Sequence, residues 1–257
     1  MSEGGEDRGK PEGPGRRSGR GDPTAGIPTI PPPPALSTAQ MREVDRVMIE
    51  DLDISLVQMM ENAGRNLALL ALRRFRPRRV TVLAGPGGNG GGGLAAARHL
   101  LNRGIDVRVS LSRPTYAFDP VPAHQARILS RLGVDLDEEP ATADLVIDTV
   151  VGYSISGDPR GRAAELIAWA NGAGTPILSL DAPSGLDLTT GRAGSPTIAA
   201  AATMTLALPK LGLDERPDLV GELYLGDISV PPSVYRTFGI EIGDLFGRES
   251  VVRIEAR

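Results

Sequence analysis

The sequence predicts an α/β protein, a mostly parallel central sheet covered by helices on both faces. Three observations carry that reading. From Arg78 onward, short apolar β-branched runs alternate with stretches of helical periodicity, the pattern of strand–helix–strand crossovers. The first of these strands runs into GPGGNGGGG, Gly85 to Gly93, seven glycines in nine residues. Two later apolar runs, LVID and ILSLD, end on Asp148 and Asp181, and in open parallel sheets ligands sit beyond the carboxyl ends of the strands.

Residues 1–35 hold eight glycines, eight prolines and interleaved charges. That composition buries too little apolar surface to offset ordering, so it predicts a disordered tail ahead of one domain over 36–257. Arg16, Arg17 and Arg20 lie among acids, which makes them a solvated linker rather than an anion site. Ser37 with Gln40 fits a capping box, Leu36 with Met41 a hydrophobic staple, and Met41, Val44, Val47 and Met48 recur at helical spacing. A second helix runs through LVQMMENAGRNLALLALRRF and stops before Pro77. Glu61 and Asn62, mid-helix among small residues, line a pocket or a subunit contact on this reading.

Then follow a buried strand at 78–85, a helix at 94–104 closed by Gly104, and a strand at 106–112. A helix at 123–133, a strand at 144–152, a helix at 162–174 and a strand at 176–183 continue the alternation, with late strands at 204–209 and 222–228. Three loops, 85–93, 148–158 and 181–191, fall at strand ends on the ligand side. His99 reads as a packing residue, His124 as exposed, and Lys210, which follows a strand, as either a phosphate contact or a solvated lysine.

Composition narrows the chemistry. There is no cysteine and only two histidines, so thiolate sites and histidine clusters are excluded and acid–base work falls to carboxylates. A net charge of −4 gives no electrostatic case for nucleic acid. No apolar run reaches membrane-span length and no signal-peptide core is present, so a soluble cytoplasmic protein is expected.

Gly85-Pro86-Gly87-Gly88-Asn89-Gly90 matches G-x-G-x-x-G in form. The ribose-binding acid of a dinucleotide fingerprint is missing, because the second strand ends in Ser110-Leu111-Ser112. Gly91-Gly92 stands where a P-loop needs lysine and a hydroxyl residue. Tyr153 has no Tyr-x-x-x-Lys partner, so the short-chain dehydrogenase pattern fails as well. What remains is a bare backbone before a helix, suited to an anionic group. The competing reading is that small residues only let strand and helix pack closely. For Asp148 and Asp181 the competing reading is a turn or helix cap; as a pair beside the glycine loop they suit ion binding and acid–base work.

Taken in order, MREVDRVMIED, MMENAG, LAGPGGNGGGGLAAARHL, VIDTVVGYSISGD, SLDAPSGLDLTTG and TMTLALPKLGL resemble the NAD(P)H-hydrate epimerases, the YjeF N-terminal-like family, from about residue 38 to 230. The resemblance implies a Rossmann-like three-layer α/β/α sandwich, a homodimer, and interconversion of the R and S forms of hydrated NADH or NADPH. A separate dehydratase then consumes the S form. It further implies one potassium ion per subunit on Asn89, Asp148 and Ser184. Nucleotide contacts are implied from Gly88, Asn89, Gly90, Gly91 and Gly92 and from Gly152, Tyr153, Ser154, Ile155, Ser156, Gly157 and Asp158. Asp181 is implied as the substrate-contacting, acid–base carboxylate. Gly88 stands where the family has asparagine, and Gly92 where it has aspartate. A catalytically impaired nucleotide-binding or scaffold protein on the same fold is the alternative these two glycines leave open.

Overall fold

The computed structural model describes Met1 and residues 26–136, 138–153 and 157–256. Its core is one eight-stranded sheet of order β1-β8-β7-β6-β5-β4-β2-β3. The strands are β1 (Thr29–Ile30), β2 (Arg79–Ala84), β3 (Asp106–Leu111), β4 (Leu145–Thr149), β5 (Ile177–Leu180), β6 (Ala202–Leu206), β7 (Glu222–Gly226) and β8 (Val251–Ile254). All neighbours run parallel except β7 and β8. The five longer helices are α1 (Thr38–Arg46), α2 (Leu56–Arg74), α3 (Gly88–Leu101), α4 (Pro120–Arg131) and α5 (Arg162–Gly172). Three short ones, α6 (Leu211–Asp214), α7 (Pro217–Val220) and α8 (Pro232–Arg236), complete the set. Among the described residues no helix is long and apolar enough to cross a membrane.

Strand side chains alternate between faces, and the two cores follow that alternation. Val80, Val82 and Ala84 of β2 and Ile147 of β4 pack with Leu67 and Leu70 of α2, Leu94 and Leu100 of α3, and Leu129 of α4. Leu83 and Val146 point the other way, onto Leu166, Ile167 and Ala170 of α5. Helices on both faces of a parallel sheet make the expected three-layer sandwich.

The capping box expected at Ser37 is built, and Ser55 opens the second helix in the same way. The Ser37 amide donates to Gln40 Oε1 at 2.9 Å, and the Ser55 amide to Gln58 Oε1 at 2.8 Å. After α1 a π-helical turn spans Val47–Asp51.

Two expectations are corrected. The tail was placed at residues 1–35, but Ile27 is buried and Thr29–Ile30 pairs in parallel with Arg253–Ile254. Thr29–Ile30 is therefore an edge strand, and Ile27 and Pro33 are buried; residues 2–25 lie outside the described residues. Likewise the segment 85–93 is a loop only to Gly87, since α3 begins at Gly88. The glycines at 90–93 are close-packing positions. A Cβ at Gly90 would stand 1.8 Å from the Gly85 carbonyl oxygen, and one at Gly93 2.0 Å from Thr149 Oγ1.

Candidate active site

The chain runs from β2 to β3 on one side, then crosses back to lay β4 on the other side of β2. At that reversal the segments leaving two adjacent strands diverge and open a crevice. Gly85 closes its floor, its amide donating to the Thr149 carbonyl at 3.1 Å. Val150 is so near that a Cβ on Gly85 would lie 1.9 Å from its carbonyl oxygen.

Above this floor opens a cleft of about 440 Å³. Met41, Met59 and Met60 form an apolar wall, while Asn89, Gly152, Tyr153, Asp181 and Lys210 supply backbone and polar groups. Gly87, Gly88, Asn89 and Gly90, the first turn of α3 and its cap, border it too. Gly87 has no side chain to cap the helix, so the leading turn of α3 borders the cleft without a side-chain cap, a setting that suits an anionic group.

Asp181 follows β5 in a left-handed conformation, φ 64°. Its amide donates to the Met204 carbonyl at 2.7 Å, so the turn is anchored on β6. Three donors converge on one carboxylate oxygen, Oδ1: the Lys210 ammonium, Thr205 Oγ1 at 3.4 Å and the Leu206 amide at 3.3 Å. Among the described residues Oδ2 takes no hydrogen bond. Lys210 is itself fully enclosed, also donating to the Leu206 carbonyl at 2.9 Å. Leu36 clamps the chain on either side of Lys210, with its amide on the Pro209 carbonyl at 2.7 Å and its carbonyl receiving the Leu211 amide at 3.0 Å.

Asp148 lies beneath the cleft with no exposure. Ser184 Oγ donates to Oδ1 at 2.6 Å, while Ser179 Oγ and the Ser184 amide donate to Oδ2 at 2.8 and 2.9 Å. Burial pushes its carboxyl above the usual carboxylate range, and these hydrogen bonds oppose the rise. Among the described residues no cationic side chain pairs with it. Asn89 packs on Gly152 and keeps a buried amide nitrogen without a partner. A buried carboxylate without a counter-charge is the environment a hard monovalent cation relieves; Asn89 would serve through its amide oxygen, since its nitrogen only donates. The residues present fit such an ion.

The remaining expected positions divide. Gly152 and Tyr153 line the cleft. Gly92 also borders it, but its Cβ direction is closed by Leu180 Cδ2 at 2.7 Å. Gly91 faces Met60 and Pro122 and does not line the cleft. Asp158 lies away from it, taking Arg192 at 2.8 Å and the Ser195 amide at 3.2 Å, and neighbouring Gly157 is exposed. Ser154, Ile155 and Ser156 lie outside the described residues. Glu61 is engaged by Arg98 and by His99 Nε2, the latter at 2.7 Å, so His99 holds α3 to α2. His124 is exposed, as expected.

Two site residues escaped the sequence reading. Lys210, read as a phosphate contact or a solvated lysine, is instead the buried partner of Asp181. Asp45, in the MREVDRV stretch, lines the cleft and accepts the Tyr153 hydroxyl at 2.6 Å. Burial raises its carboxyl above the usual range against that hydrogen bond and the Lys210 charge, and repulsion from Asp181 adds to the rise. Tyr153 is raised above an ordinary phenol, first by burial and then by the Asp45 charge. The only sequence signal for either was a polar residue flanked by core positions.

Residues 56–212 match the family described as YjeF-related protein N-terminus. The NAD(P)H-hydrate epimerase of Dehalogenimonas lykanthroporepellens is 46% identical over 209 residues, covering 78% of this chain and 84% of that protein. The bifunctional NAD(P)H-hydrate repair enzyme Nnr of Moorella thermoacetica is 34% identical over 220 residues, 79% of this chain but 42% of its own length. The crystal structure of yeast ynu0, YNL200c, matches with a TM-score of 0.75 at 23% identity, covering 86% of this chain and 99% of that one, a likeness of fold. This chain belongs to the YjeF-related N-terminal family.

Proposed function

We propose that this chain is an NAD(P)H-hydrate epimerase, interconverting the R and S forms of hydrated NADH and NADPH. The observation that carries the reading is Asp181. Its Oδ1 is fixed by three donors while Oδ2 is left for proton exchange, in a cleft bordered by helix-leading amides. The damaged nucleotide bears a hydroxyl on the ring carbon next to the ring nitrogen. A proton from the carboxyl lets that hydroxyl depart as water, and the nitrogen lone pair stabilises the planar cation left behind. Water returning to the other face inverts the centre and gives up a proton, so no thiol, imidazole or redox step is required. The leading amides of α3 are assigned to the nucleotide's phosphates.

Asn89, Asp148 and Ser184 would hold a potassium ion, which when bound supplies a counter-charge to Asp148 and a fixed positive potential near the phosphates. The homodimer and the separate dehydratase belong to the same reading. A relative whose name joins two activities in a chain about twice this length supports a coupled second step. The test is the purified R epimer given together with an S-specific dehydratase. Turnover faster than spontaneous epimerisation supports the reading, and its absence at high protein with potassium present overturns it.

One observation favours a second reading, an impaired binding protein. Leu180 fills the space beside Gly92 that the family's aspartate side chain would occupy. Nucleotide affinity without any epimerisation would select it.

A further inference from the structure

The cleft holds a carboxylate that the mechanism above leaves idle. Asp45, near the end of α1, faces the same space as Asp181, which follows β5. The two are joined by a chain of contacts. Tyr153 donates to Asp45 Oδ2 at 2.6 Å, the Lys210 ammonium lies 6.0 Å from the centre of the Tyr153 ring, and Lys210 pairs with Asp181. Asp45 Oδ1 takes no hydrogen bond among the described residues.

The stereochemistry demands a group in such a place. Inversion requires water to leave from one face of a planar ring and to add to the other. Asp181 is fixed by three donors on Oδ1, and a fixed carboxylate reaches only the ring face turned toward it. A single fixed carboxylate serves both faces only if the ring turns over. Two carboxyl groups on opposite sides remove that need, the arrangement inverting glycosidases use for a sugar ring.

We propose that Asp45 is a second catalytic residue, acting on the ring face opposite Asp181, with Tyr153 as its positioning residue. This rests on the epimerase reading. In one direction the Asp45 carboxyl gives its proton to the departing hydroxyl. The carbon–oxygen bond breaks with its electron pair on oxygen, water is released, and the ring nitrogen lone pair forms the double bond to carbon. Water on the Asp181 side then attacks that carbon, its extra proton passing to the Asp181 carboxylate as the π pair returns to nitrogen. The reverse direction uses the opposite proton distribution. Burial of Asp45 and the cation beside Asp181 bias the two carboxyls toward these opposite roles.

The experiment follows isotope and configuration together. The R hydrate of NADH is incubated in H2-18-O with full-length wild type, Asp45→Asn, Asp45→Glu or Tyr153→Phe. The epimers are then separated and the heavy oxygen in each is measured. Wild type is expected to yield S epimer carrying the label. Asp45→Asn, whose amide keeps an oxygen for the Tyr153 hydroxyl, is expected to form S about a hundredfold more slowly. Asp45→Glu recovers part of the rate, and Tyr153→Phe falls between. An Asp45→Asn rate within twofold of wild type overturns the two-face arrangement alone. So does a loss that Asp45→Glu fails to recover, with nucleotide affinity and thermal midpoint unchanged. Wild type no faster than buffer overturns the epimerase reading itself.

Discussion

Lys210 and Asp181 form a buried ion pair in the wall of the cleft, their side chains 1% and 7% exposed. An ammonium and a carboxylate so placed are tolerable only together, because either alone is an uncompensated buried charge. Lys210→Met is therefore expected to lower unfolding free energy by about 3–5 kcal/mol in urea titrations. The double variant Lys210→Met/Asp181→Asn should lose markedly less, since both charges go. Additive losses would show that the pair is not coupled.

The glycine run separates by position. A Cβ at Gly88 meets nothing within 4 Å, whereas one at Gly90 would strike the Gly85 backbone. Gly88→Ala should be neutral or stabilising by up to about 1 kcal/mol, because alanine restricts the unfolded chain and favours helix. Gly90→Ala should cost more than about 3 kcal/mol or fail to fold, as backbone cannot yield the way a side chain does. Gly92→Asp lies between, since its obstacle is the flexible end of Leu180; about 1–3 kcal/mol is expected. Thermal melts of the three variants rank them.

Potassium should act through Asp148 and Asn89. A cation that binds only the folded state raises stability with its concentration. Exchanging choline chloride for potassium chloride at constant ionic strength should raise the wild-type midpoint and leave Asp148→Asn and Asn89→Ala nearly unmoved. Equal responses in all three would remove the ion from this site.

A pH-dependent contribution is expected from Glu222, which joins β7 to α2. Arg74 approaches it with two nitrogens at 2.8 and 3.0 Å, and Tyr224 donates at 2.7 Å. The Arg74 hydrogen bonds hold its carboxyl below the ordinary glutamate value, and burial opposes them. A depressed folded-state value contributes stability above the unfolded pKa and loses it as pH falls through the folded one. Glu222→Gln should cost about 1–2 kcal/mol near neutral pH. The gap to wild type should close progressively below the ordinary glutamate value of 4.5. A gap that stays constant with pH would assign the effect to packing.

Much of this was legible in the chain. The alternation from Arg78 onward gave the sheet and its helices, because buried parallel strands and amphipathic helices write different periods. The first turns of α3 were not legible. Glycines read as loop, and only the tertiary contacts of Gly90 and Gly93 explain a helix built from them. The edge strand Thr29–Ile30 hid in a proline-rich stretch whose composition says tail, and its partner Val251–Ile254 is four residues long. Asp148 and Asp181 stood out because each closes an apolar run. Lys210 and Asp45 did not, since their partners lie 29 and 108 residues away in sequence. The fold alone makes those neighbours.

The most direct measurement is R-to-S epimerisation by the purified chain in potassium, wild type beside Asp181→Ala, read through an S-specific dehydratase. Wild type should exceed the spontaneous rate, and Asp181→Ala should fall by about 10²–10⁴-fold while still binding nucleotide. Equal rates for wild type, Asp181→Ala and buffer would contradict the assignment.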